Sequence, residues 1–307
     1  MSAQNTRVLP YGPEAIAEAA RLIGEGQIVA VPTETVYGLA ADATNGEAVA
    51  RIYEAKGRPS FNPLIVHVKD IGQARGIGRM EDAAEALARR YWPGPLTLVL
   101  PLLDGAPVAA LVTAGLPTIA LRMPAHPAMR DLLEAVGRPL AAPSANASGA
   151  ISPTRADHVL SSLSGRIPLI LDGGPTEHGL ESTIVALTGG APRLLRPGPI
   201  DLGLAPSGSG AIEAPGQLER HYAPARPLRL NALEAQVDEW LIGFGAVPGD
   251  STLSASGDLI EAAAKLFEML HEAGRQDRPR IAVAPIPDQG IGAAINDRLS
   301  RAAAPGR

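Results

Sequence analysis

From Glu47 to Val68 the chain reads EAVARIYEAKGRPSFNPLIVHV. Glu47 to Ala55 reads as a helix, and Lys56 to Pro63 as a loop stiffened by Pro59 and Pro63. Leu64 to Val68 reads as an apolar run of strand length. A helix feeding a buried strand is the repeating unit of an α/β domain, and the sequence on either side repeats it. Upstream, Pro13 to Gly24 predicts a helix with Ile16, Ala19, Ala20 and Ile23 on one stripe, and Gln27 to Val31 a short buried strand. Downstream, Glu81 to Tyr91 predicts a helix and Leu96 to Leu100 a strand. Thr118 to Leu121, Leu140 to Ala142, Leu169 to Leu171 and Thr183 to Leu187 are further strands. So many strands with short links point to a twisted mixed sheet rather than a purely parallel one.

Beyond Pro197 the character changes. PGPIDLGLAPSGSGAIEAPGQLERHYAPARP, ending at Pro227, is rich in Pro, Gly, Ser and Ala and has no helical or alternating period, so it reads as a linker. After it come a strand (Leu228 to Leu230), a helix (Leu233 to Ile242), a longer helix (Leu259 to His271), a strand (Ile281 to Ala284) and a closing helix (Ala293 to Ala303). The expected organisation is therefore a larger α/β domain over 1–200, a linker over 201–226 and a small Rossmann-like α/β domain over 227–307.

Composition narrows the function. Of 307 residues, 46% are apolar, enough for a large core, but only 3% are aromatic, so Ala, Val, Leu and Ile must build it. Cysteine is absent, which excludes disulfides, thiolate metal sites and a Cys nucleophile. The net charge of −5 argues against a general nucleic-acid coat but leaves room for a local basic cleft. The first residues lack the basic stretch and apolar run of a secretion signal, and apolar runs are only strand-length. A cytoplasmic protein without membrane spans is expected.

The candidate site residues sit where strands end. No GxxxxGK[ST] loop exists, and the Gly24–Gly26 and Gly290–Gly292 pairs are misplaced for dinucleotide turns. Lys56 and Arg58 could grip a polyphosphate, Arg58 through a bidentate fork and Lys56 as a point charge; a solvated helix end would carry the same residues. His67 lies in an apolar strand, where a satisfied core histidine is the alternative. Arg122 ends a buried strand and needs an anionic partner, from protein or ligand. Pro143 to Gly149, PSANASG, offers small hydroxyl and amide groups suited to a phosphate or ribose, and Ser152 before Pro153 reads as a helix N-cap. Glu181-Ser182-Thr183 and Arg196-Pro197-Gly198 add polar groups at further strand ends. Their convergence describes a crevice for a small anionic ligand without naming it.

Seven stretches in order, PTETVYGLA (32–40), KGRPSFNPLIVHV (56–68), WPGPLTLVL (92–100), RMPAHP (122–127), PSANASG (143–149), ESTIV (181–185) and LRPGPI (195–200), resemble the threonylcarbamoyl-AMP synthases, and HYAP (221–224) extends the likeness through the linker. The resemblance is to the long, two-domain form with a YrdC-like catalytic domain. It implies synthesis of threonylcarbamoyl-adenylate from L-threonine, bicarbonate or CO2 and ATP, releasing pyrophosphate, for threonylcarbamoyladenosine at position 37 of tRNAs. By resemblance Lys56, Arg58, Ser144 and Asn146 hold the triphosphate, and Asn62, Thr118, Ser152 and Arg196 complete the ATP site. Thr35, His67, Arg122 and Ser182 surround L-threonine, with Arg122 facing its carboxylate. Mg²⁺ would arrive with the triphosphate, since no acidic cluster is visible. Hand-over to a tRNA threonylcarbamoyl transferase complex and weak RNA binding are further implied partners.

His221 and Tyr222 are polar-tipped rings that could cover the pocket, making the linker an active-site lid. Two linker positions depart from the family: Gln217 follows Pro215-Gly216 where methionine is expected, and Glu219 stands where some relatives offer an aromatic. No nucleotide contact is carried over to them. The competing readings are a carbamoyl-adenylate-forming carbamoyl transferase, whose usual zinc-finger and acylphosphatase modules are not visible, and an RNA-binding module using the same cleft.

Overall fold

The computed structural model describes residues 5–207, 213–216 and 221–305, so Gln217 and Glu219 lie outside the described residues. In chain order the first half contains β1 (Arg7–Pro10), α1 (Pro13–Gly24), β2 (Val29–Pro32), β3 (Tyr37–Asp42), α2 (Gly46–Lys56), β4 (Ile65–His67), α3 (Ile71–Arg75), α4 (Asp82–Tyr91) and β5 (Leu96–Pro101). Then follow α5 (Ala110–Thr113), β6 (Thr118–Arg122), α6 (Pro127–Val136), β7 (Leu140–Ala141), α7 (Ala156–Leu163), β8 (Leu169–Asp172), β9 (Thr183–Ala186) and β10 (Arg193–Arg196). Among the described residues these ten strands form one sheet in the order β1-β8-β2-β3-β7-β4-β6-β5-β9-β10. The sheet is mixed, as expected: β4 and β6 run parallel while β5 and β6 run antiparallel.

Alternation along the strands divides this sheet into two faces. Ala30, Tyr37, Leu39, Val66, Leu96 and Leu98 point into the larger core, with Ile52 of α2, Ala88 of α4 and Val159 of α7. On the other face Val29, Val31, Ala40, Leu169 and Leu171 pack beneath α1 and α6. Those two helices cover only the β1 side. Over β4, β6, β5 and β9 the same face carries Ile65, Val99, Ala120 and Ile184, and Ala214 of the linker packs there. Period-two alternation puts His67 beside Ile65, and Thr118 and Arg122 beside Ala120, on this helix-free half.

The second domain contains β11 (Leu228–Arg229), β12 (Glu239–Gly243), β13 (Ser251–Thr252), α8 (Leu259–Arg275), β14 (Arg280–Val283) and α9 (Ile291–Ala303). Its sheet, β11-β14-β12-β13, is parallel throughout. The helix expected over Leu233 to Ile242 is a correction: that stretch is a loop leading into β12. Leu233 is 71% and Val237 93% exposed, so those apolar side chains have no core to face, while Leu241 and Ile242 are buried in the sheet.

The two domains share a core. Val36, Ile151 and Leu180 of the first pack with Leu266, Phe267 and Leu270 of α8 and with Ile295 and Leu299 of α9. Gly179, at φ 67°, lets the backbone approach α8 so closely that a Cβ there would stand 2.3 Å from the Ala264 carbonyl oxygen. His158 of α7 stacks on His271 of α8 at 3.9 Å between ring centroids.

Candidate active site

The helix-free half of the sheet holds a buried cavity of about 50 Å³. Its protein wall comes from the β2–β3 turn (Thr33, Thr35), β4 (His67), β6 (Arg122), the Pro143-Ser144 turn, Glu181, and Arg58 and Arg196. Pro215, Gly216, His221 and Tyr222 of the linker close it.

Local sequence explains how the cations arrive. Asn45 caps α2 by accepting from the Glu47 and Ala48 amides, and Gly57, at φ 59°, ends the helix. Lys56 is thereby pointed inward and Arg58 starts the loop. The Lys56 ammonium is buried and donates to the carbonyl oxygens of Ser144 and Asn146, binding the PSANASG turn to the end of α2. Burial, then the Arg58 charge, lowers its pKa. Arg58 is anchored through Nε to the Asn62 carbonyl at 3.2 Å and through Nη2 to the Pro63 carbonyl at 2.9 Å. Its loop is thus wrapped around its own guanidinium, and burial draws the pKa down to about 10.

Arg122 has a protein partner. Nη2 donates to Glu34 Oε1 at 2.6 Å, Nη1 to Thr35 Oγ1 at 2.9 Å and Nε to the Gly94 carbonyl at 3.2 Å. Burial alone would raise the Glu34 carboxyl; the Arg122 charge and hydrogen bond and nearby backbone N–H groups outweigh it and hold the pKa at about 2. The anionic partner that Arg122 required is therefore Glu34, on a four-residue turn between β2 and β3. His67 pairs in register with Arg122 across β4 and β6, and both its ring nitrogens are buried without a hydrogen-bond partner among the described residues. Burial, then the Arg122 charge, lowers its pKa to about 3, so the imidazole is neutral at pH 7.

Arg196 donates from Nε to the Ser182 carbonyl and from Nη2 to Ser182 Oγ, both at 3.0 Å. Ser182 Oγ also lies 2.7 Å from Thr97 Oγ1. Ser182 thus stands behind Arg196 rather than on the cavity surface. Linker residue Gly216 sits on the guanidinium: a Cβ would fall 3.0 Å from Arg196 Nη1 and 2.9 Å from the Tyr222 hydroxyl. Tyr222 is fully buried, and among the described residues its hydroxyl has no hydrogen-bond partner. His221 lies edge-on to it at 4.0 Å and is kept neutral by burial and by the surrounding cations.

Of the sequence-predicted residues, Thr35, Arg58, His67, Arg122, Ser144, Arg196, His221 and Tyr222 share this one cavity wall. Lys56 lies one contact behind. Asn146 is turned back on its own loop, donating to the Ala147 and Ala150 carbonyls. Asn62 is buried with both amide atoms unpartnered but does not line the cavity. Thr118, at the start of β6, shares the face of Arg122 one strand length away. Ser152 is not the expected N-cap: α7 starts at Ala156 after Arg155, and Ser152 Oγ instead donates to Glu181 Oε1 at 2.5 Å. The carboxylate outcompetes the helix end for that hydroxyl. Sequence reading missed the roles of Glu34 and Glu181. The signal for Glu34 was a carboxylate inside an otherwise small polar turn next to buried strands.

Among the described residues, no helix is long and apolar enough to cross a membrane. Residues 21–198 match the family model described as Telomere recombination, and residues 197–304 match the model Threonylcarbamoyl-AMP synthase, C-terminal domain. The threonylcarbamoyl-AMP synthase of Bacillus subtilis is 42% identical over 94% of this chain and 92% of its own. That of Pyrococcus abyssi is 40% identical over 92% of each. The crystal structure of P. abyssi Sua5 complexed with L-threonine superposes with a TM-score of 0.88 at 38% identity, covering 97% of both chains. With both halves matched and the fold shared end to end, this chain belongs to the threonylcarbamoyl-AMP synthase family of nucleotidyltransferases.

Proposed function

We propose that the chain condenses L-threonine, bicarbonate or CO2 and ATP into threonylcarbamoyl-AMP and pyrophosphate at this cavity. The observation that carries the reading is the meeting of Arg58, Arg122 and Arg196 in one buried wall, with Lys56 behind it. The carboxylates nearby are already engaged, Glu34 by Arg122 and Glu181 by Arg298 of α9. Among the described residues that leaves Arg58, Arg196 and Lys56 without a carboxylate in an ion pair, and burial of such cations favours a polyanionic ligand. Arg58, Ser144 and Arg196 of the wall then hold the triphosphate with Lys56 behind them, and Asn62, Thr118, Asn146 and Ser152, which do not line the cavity, support the ATP site from outside that wall. Thr35, His67 and Arg122 then face threonine, whose carboxylate would share Arg122 with Glu34, and Ser182 supports that site from behind Arg196.

In the reaction the threonine nitrogen attacks the carbon of CO2 and loses a proton, giving a carbamate. A carbamate oxygen then attacks the α-phosphorus, and the bond to the pyrophosphate oxygen breaks. The protein aligns two anions and neutralises charge on the leaving group. Neutral His67 offers an acceptor to a threonine N–H. Among the described residues no group of three His, Asp or Glu side chains could hold a cation. Mg²⁺ then comes as a counterion of the triphosphate, and no step here is assigned to it.

The linker, 201–226 between domains 1–200 and 227–307, serves as a lid. A cavity of about 50 Å³ holds one or two waters, whereas sites for drug-sized ligands run to about 300–1,000 Å³. ATP entry therefore requires His221 and Tyr222 to move, and their return would exclude water from a labile carbamate and adenylate. The product would serve threonylcarbamoyladenosine formation at position 37 of tRNAs in the cytoplasm, through hand-over to a tRNA threonylcarbamoyl transferase complex and with weak RNA binding at most. The test is pyrophosphate release with ATP, threonine and bicarbonate each omitted in turn. All three should be required; equal turnover with carbamoyl phosphate in place of threonine and bicarbonate would reassign the chain as a carbamoyl transferase.

A further inference from the structure

The cavity is lined by no described residue beyond Tyr222, yet α9 of the second domain touches its wall at two separate points. Arg298 is fully buried. Its Nε donates to Glu181 Oε2 at 2.9 Å, its Nη2 to the Glu181 carbonyl at 3.4 Å, and its Nη1 to the Pro197 carbonyl at 2.9 Å. Glu181 lines the cavity, and Pro197 follows Arg196 directly. The same guanidinium stands 5.4 Å from the centre of the Tyr222 ring, which also packs on Phe267 of α8 at 5.6 Å. One turn later, the Arg301 carbonyl accepts from the His221 amide at 3.3 Å. On the linker's far side the Ala223 amide donates to the Gly149 carbonyl at 2.9 Å, holding the segment against the PSANASG turn. His221 and Tyr222, two of the four linker residues that close the cavity, are thus clasped between α9 and the PSANASG turn.

We infer that Arg298 is a positioning residue for catalysis, a latch by which the second domain holds both the Glu181 wall and the Tyr222 closure of the active site. Its planar fork matters more than its charge. Its three donor nitrogens meet two carboxylates, those of Glu181 and of neighbouring Asp297, and two carbonyls, while Cζ lies over an aromatic ring, a combination a lysine ammonium cannot reproduce. Glu181 passes the constraint on, since its other oxygen accepts from Ser152 Oγ. The second domain therefore shapes the site at one remove from the substrates, and loss of the latch acts on closure more than on ground-state binding.

The inference rests on the proposed synthase activity, so the experiment carries a readout that does not depend on turnover. In the full-length protein, Arg298→Lys and Arg298→Met are compared with wild type for kcat, the KM of ATP, and the ratio of threonylcarbamoyl-AMP recovered to pyrophosphate released. Trypsin cleavage after Arg220 in the linker is timed on the same samples. Both variants should lose at least 10-fold in kcat with the ATP KM within about twofold, release more pyrophosphate than adenylate, and be cut at least 10-fold faster at Arg220. If wild type makes no adenylate the functional reading falls, and cleavage at Arg220 alone decides the latch. Arg298→Lys, the milder change, carries the test if Arg298→Met does not fold. A cooperatively folded Arg298→Lys with wild-type cleavage rate, and with kcat and product ratio unchanged wherever turnover is seen, overturns the inference.

Discussion

Arg122 and Glu34 form an ion pair at 2.6 Å in which each side chain is only 4% exposed, and their pairing joins the β2–β3 turn to the end of β6. A pair so deep is costly to half-remove, because the survivor is left charged and unpartnered. Glu34→Ala should destabilise the protein by about 3–5 kcal/mol in urea unfolding. The same carboxyl sets an acid limit. With a folded pKa of about 2 against 4.5 unfolded, it contributes stability present above pH 4.5 and lost as pH falls towards 2. Glu34→Gln should flatten that part of the stability curve, and an unchanged acid limb would show that the pair does not hold in solution.

Arg58 should not tolerate lysine. Its fork holds the Asn62 and Pro63 carbonyls as well as facing the cavity, so a point charge loses both the loop and the ligand grip. Arg58→Ala should lower the kcat/KM of ATP-dependent pyrophosphate release by about 10- to 150-fold, the equivalent of charge-assisted bonds worth about 1.5–3 kcal/mol. Arg58→Lys should stay closer to the alanine variant than to wild type.

The stacked His158 and His271 predict an acid-sensitive domain junction. Burial, then the neighbouring His271 charge, lowers His158 to about 3, and burial lowers His271 to about 4 although the Ser152 carbonyl opposes it. Asp157, Arg155, Arg275 and Glu268 surround the pair. Both folded pKa values lie below the unfolded 6.5, so the unfolded chain binds more protons. Stability is whole above pH 6.5 and falls as pH drops towards 4, by up to about 1.4 kcal/mol per pH unit for each histidine. Thermal unfolding from pH 7.5 to 4.5 should show this slope, reduced in a His158→Gln, His271→Gln double variant.

Gly179 leaves no space for a side chain. A Cβ there meets backbone oxygens of α8 rather than flexible side-chain ends, and φ 67° disfavours any L-residue. Gly179→Ala should cost about 1–3 kcal/mol and loosen α8 from the catalytic domain. Faster amide exchange in α8, with α1 and α6 protected as in wild type, would locate the damage at the junction; uniform loss of protection would contradict it.

Sequence by itself determined many local elements where apolar residues repeat with a clean period, although α6, with Ala128, Met129, Leu132 and Leu133 on its buried stripe, went unread. Pro13 to Gly24, the α2-to-β4 unit and the strands Leu96–Pro101, Thr118–Arg122 and Leu169–Asp172 were all readable, because each must bury a continuous stripe or face. It also located the cations and hydroxyls at strand ends, from Lys56 and Arg58 to Arg196. Periodicity failed at Leu233 to Ile242, where apolar side chains are spaced along a loop that has no core beneath its first half. Tertiary structure alone decided which of those polar residues face one another. Glu34 meets Arg122 only when a four-residue turn folds over the end of an interior strand 88 positions away. Arg298 reaches Glu181 across 117 positions, from a helix with no visible tie to the site in the sequence. Local pattern records what a segment must bury, but ion pairing at such separations depends on where whole domains come to rest, which no window of sequence contains.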